Sequence, residues 1–515
     1  MQKRNSSRTY NSIVNSVVGI FATIITIILN FFVRIVIIKQ LGEEVNGIHS
    51  LFQSITNMMA LIEAGFSTAM VIHLYKPVAE QDKNKIIGII KFYRKVYIVI
   101  SIIFILIGLF VNAFFIDDLV KSSIPISQIH FYFLVYMLIT PVNYLTYYKI
   151  SILYAEQNNK IYFIISTISQ LIFRMLQIIL LFKFKSYSVF LILLILEKIT
   201  CNLICSKYIN KNNPYLKEKN NIELSKKDKK AIFSTVKPIF ISNIASNVQG
   251  STKEILISML QSNVKYVGYF GNYQLITSTA KLLFSQFGGA ITSSFGNLAV
   301  ENNQNKMYEA FKKVSFILNW IAILLCSGFI CCIQTFIFLA FGKNFVLPNP
   351  VAILIVLELY IYLLNIPIIS IQNALGLHKE DQYIMIFQTI ASAFVGYFLG
   401  RKYGMLGVLI GLLIPQFFLT LINKRIVIYK KAFNIKKNIA IKSILLELLK
   451  GIFVCLISIS ICSLIRTNYI IVNLILKGLI SILITFIMFY ILSKKSQYYQ
   501  ESINLVKKII RRKKA

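Results

Sequence analysis

This chain of 515 residues has little acid to balance its base: 20 Asp and Glu stand against 55 Lys and Arg. Histidine (4), cysteine (7), proline (9) and tryptophan (1) are all scarce. No two cysteines show the paired spacing of a zinc site. Cys201, Cys205, Cys326, Cys331, Cys332, Cys455 and Cys462 sit in or beside apolar runs and read as small packing residues, so no metal and no cofactor are expected. The basic charge comes without the aromatic or glycine pattern of an RNA-binding module, which argues against nucleic acid as a partner. Long polar segments are missing too, leaving no room for a separate soluble domain. No loop is long enough for the carboxylate or histidine machinery of a membrane-bound polymerase or ligase. Asp117-Asp118 is a paired acid in a loop assigned to the outside. The chain therefore does not read as an enzyme. A cleavable leader is also not expected. The first apolar run follows Lys3, Arg4 and Arg8 but continues past Leu29 to Ile38 without a small-residue cleavage site.

What is present is apolar. Hydrophobic residues make up 56% of the chain and the mean hydropathy is +0.68, outside the range of a soluble domain. Fourteen runs are long enough to cross a hydrocarbon core of about 30 Å. They centre near Ile25, Ala60, Phe104, Tyr136, Leu171, Leu193, Gln249, Lys281, Leu325, Leu363, Ala391, Leu413, Leu456 and Leu483. Backbone in lipid must bond within its own segment, so these runs are predicted as helices; barrel strands would be shorter and would alternate. The expected fold is an all-α integral membrane protein of about 14 transmembrane helices. With the N-terminus placed inside, most Lys and Arg fall in inner loops and tails, the positive-inside pattern. This predicts a multi-pass protein with cytoplasmic N- and C-termini. Richness in Ile, Lys and Asn suggests an AT-rich bacterial genome, hence the bacterial cell membrane. Basic flanks such as Lys226-Lys227-Asp228-Lys229-Lys230, Lys430-Lys431 and Arg511-Arg512-Lys513-Lys514 should attract anionic headgroups, making membrane lipids one partner.

The chain also repeats itself at a constant offset, the one that carries Gln40 onto Gln261. Gln40-Leu-Gly-Glu-Glu-Val-Asn-Gly47 returns as Gln261-Ser-Asn-Val-Lys-Tyr-Val-Gly268. Gln53, Ile55, Thr56, Leu61, Phe66 and Ala69 return as Gln274, Ile276, Thr277, Leu282, Phe287 and Ala290. Glu80, Asn84, Lys85 and Lys91 return as Glu301, Asn305, Lys306 and Lys312. The matches are mostly polar or small, so abundant isoleucine does not explain them. Leu153–Ile168 lines up with Leu375–Ile390 in a register shifted by a single position, and Pro141 and Pro367 interrupt comparable helices, where they can kink them. The widest polar gap follows the sixth run. Six is even, so both halves enter the membrane in the same direction and the repeat is parallel. The predicted organisation is a six-helix lobe over 1–209, a basic cytoplasmic linker over 210–236 and a second six-helix lobe over 237–430. Helices thirteen and fourteen, with a basic tail, are appended over 431–515.

The run from Arg34 to Phe52, with Leu41-Gly42-Glu43-Glu44 at its turn and Gly47 opening the next helix, resembles the first hairpin of polysaccharide flippases. Glu63-Ala-Gly-Phe-Ser-Thr-Ala69 is similar to their glycine-rich close of helix two, and Asn373-Ala-Leu-Gly-Leu-His-Lys379 to their turn after helix ten. These flippases are the Wzx-type branch of the multidrug/oligosaccharidyl-lipid/polysaccharide exporter superfamily. The resemblance implies two six-helix bundles around a central cavity that opens alternately to each side. It implies transport of an undecaprenyl-diphosphate-linked oligosaccharide to the outer leaflet, with a polysaccharide polymerase as a downstream partner. Lipid II flippases and cation-coupled drug exporters share the superfamily and stay open as alternatives. The extra helix pair speaks mildly against the twelve-helix drug exporters.

A diphosphate head crossing a bilayer needs a wet, cationic cavity, because charge in hydrocarbon costs several kcal/mol. Arg34, Arg174, Lys253 and Lys281 are the substrate-binding candidates. Arg34 and Lys253 sit at nearly the same depth in repeat-related helices, and Lys281 and Arg174 lie near midspan. Glu63, Glu254 and Glu358 are the carboxylates singled out within spans. They either couple transport to an H⁺ or Na⁺ gradient or pair with nearby cations. Lys149, Lys198, Lys450 and Lys477 lie nearer span ends, where snorkelling explains them. Asn15, Asn30, Asn243, Asn247, Gln249, Gln274, Gln286 and Asn373 add polarity for sugar binding or for joining helices.

Overall fold

A computed structural model describes residues 8–217, 223–300, 303–377, 382–465 and 467–502. The basic end at 511–514 and the second repeat's turn at 378–381 lie outside them, as do the side chains of Asn243, Asn247, Gln249 and Gln286. Among the described residues the regular structure is entirely helical. The elements are α1 (Arg8–Leu41), α2 (Glu43–Met59), α3 (Phe66–Glu80), α4 (Lys83–Phe114), α5 (Ile116–Leu119), α6 (Ile126–Met137), α7 (Ile139–Ala155), α8 (Asn159–Phe184) and α9 (Tyr187–Asn212). They continue as α10 (Lys226–Leu260), α11 (Lys265–Val300), α12 (Gln304–Phe341), α13 (Asn349–Leu375), α14 (Gln382–Pro415), α15 (Lys424–Phe433), α16 (Lys437–Ser463) and α17 (Ile470–Ser493).

Ten segments are long and apolar enough to cross a membrane, and α2 with α3 makes an eleventh bent by 41°. The segment Tyr383–Phe433 counts once by composition but holds two passes, because Gly404 breaks α14 with φ 59° and ψ −140°. A left-handed residue there lets the chain reverse without Cβ strain. Beyond it, a Cβ on Gly407 would meet the carbonyl of Leu399, and one on Gly411 would meet the backbone of Gly396. The two passes therefore touch backbone to backbone. Helices α10 and α11, of 35 and 36 residues, exceed the roughly 20 residues a crossing requires. Polar residues interrupt their apolar runs. With them the described residues make an all-α membrane fold of about fourteen passes.

The chain falls into two compact units, Met1–Gly268 and Tyr269–Ala515. The expected linker at 210–236 lies inside the first unit, because α10 packs on α2 and α3. Within that unit α8 lies between α1 and α9, and α7 packs on α3, α4 and α9. The bend between α2 and α3 is a 3₁₀ turn, Ala60–Glu63, ending at Gly65 with φ 97°. A Cβ on Gly65 would sit 2.9 Å from the Phe240 amide and 3.0 Å from the Val236 carbonyl, so α10 rests directly on the bend. Pro141 falls in the first turn of α7, where its missing N–H coincides with the break from α6. The partner proline gives a different result: α13 runs unbroken through Pro367.

In the second unit α12 packs on α13, α16 and α17. For α13, 72% of the apolar window is buried, against 17% for α17, so α13 is the core helix and α17 the edge. A π-helical stretch, Gln416–Asn423, follows Pro415. Proline removes a backbone donor there, and the wider register relieves the ladder.

Local details repeat at the offset read from the sequence. Thr56 Oγ1 donates to the carbonyls of Phe52 (2.8 Å) and Gln53 (3.1 Å), and Thr277 Oγ1 to those of Tyr273 (3.2 Å) and Gln274 (3.4 Å). The side chain of Asp82 caps α4 by accepting from the Lys85 amide at 2.9 Å, and Asn303 caps α12 by accepting from Lys306 at 3.0 Å.

Candidate functional site

The first unit gathers buried charge where α1, α2, α6, α8, α9 and α10 meet. Arg34 donates from Nε to Asn46 Oδ1 at 3.0 Å and from a terminal nitrogen to Ser50 Oγ. Ser54, one turn further along α2, donates to Glu254 of α10. Asn46, Ser50 and Ser54 recur every fourth residue, so they line one helical face that joins Arg34 to Glu254. Lys253 is 4% exposed and lies in electrostatic range of Glu254. Tyr136 of α6 is within electrostatic range of Arg34, Glu254 and Arg174. His49 stands beside it, its Nδ1 3.1 Å from the Tyr187 hydroxyl and its ring edge-on to Tyr136.

Beyond Tyr136 the network continues to Arg174 of α8, which donates to Gln177 Oε1 at 2.9 Å. Arg174 stops 3.7 Å from Glu197 of α9, a distance too long for a hydrogen bond, while Lys198 meets Glu197 at 3.1 Å. Among the described residues, Arg174 Nε, Gln177 Nε2, Asn46 Nδ2 and Glu197 Oε2 have no hydrogen-bond partner. Among the described residues, the four cations Arg34, Arg174, Lys198 and Lys253 thus share this region with two carboxylates, Glu197 and Glu254. Each buried ion carries a desolvation penalty of several kcal/mol even after relaxation. A net-positive group with idle donors is therefore a ready place for an anion.

The turns at the end of the unit opposite the start of α4 are laced together. Glu44 accepts from Ser122, Ser123 and Asn263 at 2.6–2.8 Å, and the Val264 amide donates to the Lys121 carbonyl at 2.8 Å. The repeat-related glycines meet here. A Cβ on Gly47 would strike the Val264 carbonyl, and one on Gly268 would lie 2.7 Å from Asn46 Nδ2 and 2.8 Å from the Gly47 amide. Glycine at both positions lets the hairpins touch beside Arg34's partner.

The remaining candidates have other partners. Lys281 of α11 binds Glu358 of α13 at 2.8 Å and lies over the Tyr362 ring, 5.5 Å from its centroid. Glu63 receives the Tyr97 hydroxyl at 2.8 Å in the α2–α3 bend, so it is held by a phenol. Lys149 and Lys198 do more than snorkel: Lys149 donates to Ser206 at 2.9 Å, and Lys198 pairs with Glu197. Sequence reading missed Glu197, 1% exposed, and the pair Arg425–Glu447 at 2.6 Å in the second unit. The signal for Glu197 was its place inside the apolar run Tyr187–Asn212. For Arg425 it was hidden, because Lys424, Lys430 and Lys431 make the stretch look like a solvated basic flank.

No protein-family model matches the sequence, and no curated protein matches it. Solved structures match the fold. A lipid II flippase, MurJ, in an inward closed conformation has a TM-score of 0.68 at 17% identity, over 94% of this chain and 99% of that one. An inward-facing multidrug resistance MATE family transporter of the MOP superfamily has a TM-score of 0.65 at 13% identity, over 80% of this chain and 98% of its own. A MOP superfamily transporter from Pyrococcus furiosus, described as having a binding pocket of reversed polarity, reaches 0.52 at 14% identity over 82% and 96%. This chain therefore has the fold of the MOP superfamily's membrane transporters.

Proposed function

We propose that this chain flips a polyprenyl-diphosphate-linked oligosaccharide from the inner to the outer leaflet by alternating access, supplying cell-surface polysaccharide synthesis. The observation that carries this reading is the net-positive buried network of Arg34, Arg174, Lys198 and Lys253 against Glu197 and Glu254. A diphosphate is the kind of ligand whose charge and acceptor oxygens match idle guanidinium and amide donors. Arg34, Arg174 and Lys253 bind it in the first unit, whereas Lys281, the candidate of the second, is closed on Glu358 at 2.8 Å. Asn and Gln side chains take sugar hydroxyls. Glu254, placed beside Arg34, is the carboxylate best situated to couple transport to H⁺ or Na⁺. Glu358 and Glu63 are the other two candidates for that role. The delivered glycan passes to a polysaccharide polymerase in the same bacterial cell membrane, and both termini stay cytoplasmic.

The similarity to a lipid II flippase favours a second reading, in which the glycan is a peptidoglycan precursor. A drug exporter for organic cations fits less well, because such a cavity needs acids and this network leans basic.

The test is leaflet translocation in proteoliposomes with a fluorescent undecaprenyl-diphosphate oligosaccharide and, in parallel, fluorescent lipid II. Charge-assisted bonds are worth about 1.5–3 kcal/mol. Arg174→Ala with Lys253→Ala should therefore slow flipping by about ten- to a hundredfold. Near-wild-type flipping at normal membrane abundance would overturn the cationic site. Faster handling of lipid II than of other glycans would select the second reading.

A further inference from the structure

The first unit carries a second basic feature, remote in sequence from the network above. Where α4 begins and α10 starts, a cavity of about 770 Å³ is lined by Lys91, Arg94, Lys95 and Lys229, with Phe92, Ile98 and Leu224 as apolar wall and Glu223 at its edge. That volume lies within the roughly 300–1,000 Å³ of small-ligand pockets. Glu223 makes a 3.9 Å pair with Lys95 whose side chains are 79% and 76% exposed, so the pair is weak and solvated. Arg94 is also in electrostatic range of Lys149. Among the described residues lining the groove, four cations thus stand with one carboxylate.

The repeat supplies the contrast. At its offset, Gly88, Lys91, Phe92, Arg94, Lys95 and Ile98 correspond to Glu309, Lys312, Lys313, Ser315, Phe316 and Asn319. In the second unit the chain covers this stretch itself. Glu501 binds Lys313 at 2.8 Å, Tyr498 donates to Glu309 at 3.1 Å, and Lys312 lies over the Tyr308 and Tyr498 rings. Phe316 packs on Phe489 and Tyr498. Contact with Lys313 holds the Glu501 carboxyl below its ordinary range, so an anion and an apolar ring from the chain's own end occupy the site. In the first unit α4 keeps Lys312 as Lys91, carries Arg94 and Lys95 in place of Ser315 and Phe316, and has Gly88 in place of Glu309.

We propose that this groove binds the phosphate headgroup of an anionic membrane lipid, with Arg94, Lys91, Lys95 and Lys229 on the phosphate and Phe92 and Ile98 along the first acyl carbons. Ile98 is 41% exposed on the membrane-crossing helix α4, continuous with a lipid-facing row at Ile102, Leu106 and Leu109. A soluble phosphate would have no use for that row. An acyl chain would.

The test is native mass spectrometry of the full-length protein from detergent supplemented with phosphatidylglycerol or phosphatidylcholine, with inorganic phosphate as competitor. Wild type should retain phosphatidylglycerol in preference to phosphatidylcholine. Arg94→Ala with Lys95→Ala should lower that occupancy by about thirtyfold, as loss of two cations at a membrane surface predicts. The charge-matched control Lys436→Ala with Lys437→Ala should leave it unchanged. Equal loss in both variants, retention in Arg94→Ala/Lys95→Ala, or displacement of the lipid by millimolar phosphate would each overturn the proposal. Flipping by Arg94→Ala/Lys95→Ala in neutral vesicles reads the transport site separately, so the two proposals can fail independently.

Discussion

The two units treat buried charge differently. In the second, Lys281 closes on Glu358 at 2.8 Å and Arg425 on Glu447 at 2.6 Å, with a further bond from Arg425 to the Leu364 carbonyl at 2.9 Å. In the first, Arg174 stops 3.7 Å short of Glu197, and Arg34 is held by the neutral groups of Asn46 and Ser50. A closed pair has its electrostatic need met and serves the fold. An open network with surplus cations keeps that need for a ligand. In the proposed reading, stability and transport are carried by different charges, each within its own unit.

The sharpest way to break this comparison is to remove one cation from each unit. Arg425→Met leaves Glu447 beside the buried Tyr360, and thermal unfolding in detergent should show a loss of about 3–5 kcal/mol. Arg425→Met with Glu447→Leu should regain most of it. Arg174→Gln should cost far less stability while slowing flipping. Equal destabilisation by the two single variants would erase the distinction.

The hairpins give a second contrast. Gly47→Ala and Gly268→Ala each force a methyl onto backbone or onto Asn46, and should cost about 1–3 kcal/mol by overpacking. Gly289→Ala, with nothing within 4 Å of the added Cβ, should be near neutral in the same unfolding measurement. A milder effect at Gly47 than at Gly289 would refute the direct hairpin contact.

The smallest effect sharpens the likeness of the units instead. Asp82→Ala and Asn303→Ala remove caps at the same repeat position, and each should cost about 1 kcal/mol. Hydrogen exchange at the first turns of α4 and α12 should rise to a similar extent. A marked difference would mean that the two caps work in unlike surroundings.

Much of the fold was legible because its signals are local. Apolar length predicts α1, α4, α8 and α17 with no tertiary information, and the side-chain bonds of Thr56 and Thr277 recur where the offset places them. The site was legible only in part. Arg34, Lys253 and Glu254 were found as charges in spans, and the structure places them together. Glu197 was passed over although it fills the gap between Arg174 and Lys198. Lys281 was read with the other cations, yet it forms an ion pair with Glu358, two helices further along the chain. Glu63 looked like a partner for cations and instead takes the hydroxyl of Tyr97. Pairing across helices depends on rotation about each helix axis, and composition and depth do not contain that rotation.

The sequence by itself determined that the chain crosses a membrane as helices, that its second half repeats its first, and that it is rich in basic charge. The helices and the placing of the charge follow from the cost of unbonded backbone and unpaired charge in hydrocarbon, which any arrangement must respect. Only the tertiary structure decided which charges neutralise one another and which remain in surplus. Ion pairing acts over a few ångströms, so whether Arg174 reaches Glu197, or Lys281 reaches Glu358, is settled when helices distant in sequence are packed side by side.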